Sequence, residues 1–169
     1  GRFFAAHIAG PMIDHSVAED RALSPEVVAE MRAGAEKMLS QPQEAGIFFY
    51  QTLFRTFPEV LRHFRTADMD MLSRHLIETV VFLSRVAAKP RSLRAELRNL
   101  ASVHQVNQIP SVDYPKLAEP LLETLSTFGL PLTERTRHGW SVLFGRVIRV
   151  ISEPMAQQER LLDAAREFI

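Results

Sequence analysis

Residues 46–64 read GIFFYQTLFRTFPEVLRHF, and this stretch settles the class of fold. Phe49, Leu53, Phe54 and Phe57 recur at helical spacing, along one side of an α-helix. Pro58 closes that stripe, and Val60, Leu61 and Phe64 fit a further short turn of helix. Upstream, Leu23-Ser24-Pro25-Glu26 is a helix start. Ser24 can cap, Pro25 has no N–H to lose, and Glu26 sits at the positive end of the dipole. Val27, Val28, Met31, Ala35, Met38 and Leu39 then form one stripe up to Gln41-Pro42. Downstream, residues 66–70 are polar and read as a loop. Leu72, Leu76, Ile77, Val80 and Leu83 make the buried face of a long helix that stops at Lys89-Pro90-Arg91. Leu93, Leu97, Leu100 and His104 share one face of the next helix, which Ile109-Pro110 ends.

Tyr114, Leu117, Leu121, Leu125 and Phe128 mark a fifth segment, in which Pro120 is expected to kink the helix or shift its start. Thr133 caps a last helix carrying Trp140, Leu143, Phe144, Val147, Ile148 and Ile151. Pro154 is expected to interrupt it, with Leu161, Leu162 and Phe168 continuing as a helical tail. There is no β alternation, internal repeat or Gly-Ser linker. The chain is all-α.

Composition narrows the function. In 169 residues, 20 Lys and Arg balance 20 Asp and Glu, which argues against a nucleic-acid or polybasic membrane partner. No apolar run approaches the roughly 20 residues that a membrane-spanning helix needs. The absence of cysteine removes disulfides, thiolate zinc sites, iron–sulfur clusters and thiolate-ligated haem together. It also fits a reducing, cytoplasmic setting. Glycine-rich phosphate loops, G-x-S-x-G elbows and H-E-x-x-H zinc motifs are missing. Asp68-x-Asp70 resembles a metal pair less than a helix cap.

His104 stands apart, because it continues an apolar stripe at the last turn of its helix. Taken alone it is a core histidine with a local hydrogen bond; a lone imidazole on an apolar face is also what a haem iron needs. Its surroundings favour the second reading. Phe49-Tyr50-x-x-Leu53-Phe54, Pro58-Glu59-Val60-x-x-x-Phe64, Leu100-Ala101-x-x-His104, Tyr114-Pro115 and Trp140-x-x-x-Phe144-Gly145 resemble the globin family in order and spacing. The resemblance is greatest to single-domain bacterial haemoglobins and the globin part of flavohaemoglobins. It implies about six to eight helices around a haem pocket, with haem b as cofactor. On this resemblance the expected division is a globin over residues 24–154, an N-terminal extension over 1–23 and a helical tail over 155–169.

Position by position, the resemblance implies His104 as proximal iron ligand and Phe64 as the ring against the porphyrin, with Leu100 and Ile109 beside them. Tyr50 matches the distal hydrogen-bond donor and Tyr114 a proximal tyrosine that supports the histidine. A glutamate of flavohaemoglobins falls on Met155 here, with Glu153 nearby, which departs from their proximal network. On the distal helix, an ungapped register puts Leu72 and Leu76 in the pocket and His75 at its mouth. A slide of three residues makes His75 the distal histidine, a sixth iron ligand. Packing favours the first, since Gly46 and Ser73 would then meet at the helix crossing and the slide would put Leu76 there. His63 is expected at the surface, and His7, His15 and His138 carry no motif.

The leading expectation is a haem globin that reversibly binds O₂, NO and CO. The flavohaemoglobin resemblance adds NO dioxygenation, which would need an external reductase. A gas-sensor domain joined to an output partner, or acting as a homodimer, is the alternative. A haem-free globin fold that binds partners is the third.

Overall fold

The computed structural model describes residues 21–89, 95 and 111–167, and these form helices and turns with no strand among them. Helix α1 spans Pro25–Lys37 and α2 spans Pro42–Thr56, each opened by a proline. A 3-10 segment, Pro58–Phe64, follows α2 and leads to α3, Met69–Val86. A second 3-10 segment, Ser111–Leu117, precedes α4, Ala118–Phe128, and α5 spans Glu134–Glu167. None of these helices is long and apolar enough, among the described residues, to cross a membrane.

The caps explain the boundaries. The Ser24 hydroxyl accepts from the Val27 N–H at 3.4 Å, and Asp68 Oδ1 accepts from the Met71 N–H at 3.2 Å. Asp68 is therefore occupied as a cap. Thr133 and Thr136 bond reciprocally at the head of α5, each hydroxyl accepting from the other's backbone N–H. Pro120 shifts the start of its helix rather than kinking it. Residues 111–117 wind as 3-10 turns, and Pro120 then falls in the first turn of α4, where a missing N–H removes no hydrogen bond.

Pro154 does not have the expected effect, because the backbone of α5 continues through it to Glu167. A single proline removes one rung of the ladder, and the helix is anchored upstream by the buried Trp140, Leu143, Phe144 and Val147. The division expected between residues 154 and 155 thus falls inside a continuous helix.

Packing is centred on the crossing of α2 and α3. Gly46 lies against the backbone of Ser73, so close that a Cβ on residue 46 would stand 2.5 Å from the Ser73 Cα. Small residues at this point let two helices approach backbone to backbone. Around it, Met31, Phe49, Leu53, Ile77, Leu125, Trp140 and Leu143 are all buried in one core. Helix α1 covers α3 and α5, and α2 also packs on α4. The Ser73 hydroxyl is buried without a hydrogen-bond partner, a cost that the close approach imposes.

Two substitutions separate these effects. Gly46→Ala should destabilise the fold by about 3 kcal/mol, because the new methyl meets backbone that cannot move aside. Ser73→Ala should be neutral or stabilise by about 1 kcal/mol, because it deletes an unpaired polar group. Urea denaturation of both variants checks the pair. Equal losses would show that the crossing is not the constraint.

Candidate functional site

Helix α2 holds Tyr50 one turn beyond Gly46, so the close crossing fixes its position. The side chain is only 9% exposed. Its ring centroid lies 4.9 Å from Phe49, 5.9 Å from Phe54 and 5.4 Å from Phe64. Phe54 and Phe64 are themselves 5.4 Å apart, so three rings from α2 and the following 3-10 segment form one cluster. The periodicity of residues 46–64 leads to this: Phe54 follows Tyr50 by one turn, and Pro58 bends the chain so that Phe64 returns against both.

The Tyr50 hydroxyl has no hydrogen-bond partner among the described residues. Burial alone acts on it and raises its pKa from 10.0 to about 12. A phenol whose pKa is raised is protonated at neutral pH, so its O–H can donate a hydrogen bond.

Leu72 and Leu76, one turn apart on α3, are half-buried and packed against the core. His75, between them in sequence, is exposed. It lines an open surface groove of about 340 Å³ with Gln43, Asp70, Met71, Arg74 and Glu78. Tyr114 is buried, 2% exposed, in the 3-10 segment before α4. Trp140 and Phe144 are buried on α5 with their rings 5.4 Å apart. His104, Leu100 and Ile109 lie outside the described residues, as do the side chains of Glu153 and Met155.

His63 is not the surface residue expected. Its side chain is 14% exposed, and Nε2 lies 3.2 Å from Asp113 Oδ2. Lys116 Nζ donates to Asp113 Oδ1 at 2.8 Å and to Glu59 Oε1 at 3.0 Å. Lys116 holds the Asp113 carboxyl below the usual carboxylate range, with His63 adding to the effect, so Asp113 is ionised at neutral pH. Sequence reading missed this cluster because its members are 50 and 57 residues apart and match no motif. The one local signal was the placing of charged or polar residues beside Phe64 and Tyr114.

No protein-family model and no curated protein matches the sequence. Among solved structures, the hemoglobin from the botfly Gasterophilus intestinalis is similar to this chain, with a TM-score of 0.69 at 18% identity. The match covers 79% of this chain and 99% of that one. The architecture is the all-α globin fold.

The raised Tyr50 pKa has a consequence at alkaline pH. Below pH 10.0 the phenol is protonated in both folded and unfolded chains. From there to about 12 the unfolded chain ionises first, so the fold loses stability as pH rises. The Tyr50 share of that loss should be about 2 kcal/mol. Tyr50→Phe should therefore lose less stability than wild type between these pH values, measured by urea midpoints. Parallel losses would show that the phenol is not desolvated.

Proposed function

We propose that this protein is a haem b globin that reversibly binds O₂, and also NO and CO, with His104 as the iron ligand and Tyr50 as distal donor. The observation that carries the reading is Tyr50, a buried tyrosine with no hydrogen bond to another described residue, in a ring cluster on the globin fold. That half of the site suits a flat apolar macrocycle: Phe64 supplies a ring, Leu72 and Leu76 an apolar wall, and Tyr50 a single polar tip. The botfly protein with the similar fold is a hemoglobin, in keeping with this reading. A neutral imidazole such as that of His104 is a natural haem ligand, and the chain has no cysteine to compete with it.

When bound, the haem supplies the iron at which a diatomic gas is held. The protein's own residues do the rest. Tyr50 donates its O–H to the electron-rich end of the gas and slows its escape. Leu72 and Leu76 exclude water from that space. Phe64 would flank the macrocycle, and Tyr114 would support His104. His75 is exposed and lines the groove, and in this reading it would pair with the macrocycle's carboxylates rather than ligate its iron. With an external reductase as electron source, a haem held in this pocket would also supply the chemistry for converting NO and O₂ to nitrate.

Visible spectra test the assignment. Wild type mixed with haemin should show a Soret band that His104→Ala loses, and His75→Ala should leave the ferrous spectrum unchanged. Tyr50→Phe should speed O₂ release about tenfold, as expected for one lost hydrogen bond of about 1.4 kcal/mol. A wild type that takes up no haemin would sink the proposal, and unchanged O₂ release in Tyr50→Phe would remove the donor role. Rapid mixing of NO with the O₂-bound protein should give ferric haem; its absence would exclude the dioxygenation.

A further inference from the structure

The aromatic residues on either side of the candidate site each have a polar neighbour, and those two neighbours are bonded. His63 precedes Phe64, Asp113 precedes Tyr114, and the 3.2 Å contact between His63 Nε2 and Asp113 Oδ2 joins the two 3-10 segments. An ionised carboxylate only accepts, so the imidazole N–H donates. Both side chains are enclosed, at 14% and 8% exposure, where a charge-assisted bond is stronger than in water. The parallel link from Lys116 to Glu59 is more exposed, with Glu59 at 51%, and holds the segments less firmly.

We infer that the His63–Asp113 bond is a positioning pair, which sets the stance of Phe64 and thereby the aim of the Tyr50 hydroxyl at a bound gas. The inference rests on the haem and gas reading above. Phe64 is the mechanical link: it is bonded in sequence to His63, and its ring lies 5.4 Å from that of Tyr50, which has no bond of its own among the described residues to hold its tip. Lys116 already neutralises Asp113, so His63 is free to act as a tether rather than as the only counter-charge. Moving the 58–64 segment therefore moves the ring on which the donor leans.

The test uses three variants of the full chain. His63→Phe keeps the ring and removes the donor, His63→Gln keeps a donor, and His63→Phe in a Tyr50→Phe background removes the group on which the pair acts. The CO-stretching frequency of the ferrous CO form and the O₂ release rate are measured, with amide exchange of residues 111–117 in the haem-free protein. His63→Phe should shift the CO stretch, change O₂ release by about twofold to tenfold and speed the exchange. His63→Gln should restore wild-type values, and in the Tyr50→Phe background His63→Phe should have no further effect on gas release. A variant that only melts earlier, with CO stretch and O₂ release at wild-type values, overturns the inference alone. A wild type that takes up no haemin overturns the proposed function and this inference with it.

Discussion

The contact between Gly46 and the Ser73 backbone is the constraint from which the rest of the site follows. A helix pair this close has no room for a Cβ between the strands of backbone, and that closeness fixes both rotation and register. With α2 and α3 locked there, Tyr50 comes one turn beyond the crossing on α2, and on α3 Leu72 and Leu76 lie before and after Ser73 in sequence. The buried, unpaired Ser73 hydroxyl shows that this geometry is held against a local cost. Core burial on all sides, from Met31 to Trp140, supplies the compensating energy.

Polar interactions divide into two kinds. On the surface, Glu36 with Arg85 and Glu30 with Arg135 tie α1 to α3 and to α5, but exposed pairs of this sort contribute little each. The cluster of His63, Asp113, Lys116 and Glu59 differs because it is partly enclosed and joins segments that border the candidate site. Balanced charge over the whole chain is thus compatible with a concentrated polar knot at one place.

Much of the fold was legible from periodicity and capping. Ser24, Asp68 and Thr133 are helix caps, and the described residues of the apolar stripes that follow them are buried or half-buried, except at rims such as Leu39. These are local properties: a cap serves an N–H two or three residues away, and a stripe needs only the pitch of one helix. Pro120 and Pro154 were harder. A proline's position within a helix, in the first turn or beyond an anchored half, decides whether it breaks anything.

The sequence by itself determined the class of fold, the helix starts and the small residues at Gly46 and Ser73 that allow the crossing. Tertiary structure alone decided that Phe64 turns back onto Tyr50, that the Tyr50 hydroxyl lacks a partner among the described residues, and that His63 meets Asp113. The physical reason is range. Helical pitch and capping act over a turn or two, whereas a side chain's burial and its bonding partner depend on elements that fold against it from 50 residues away.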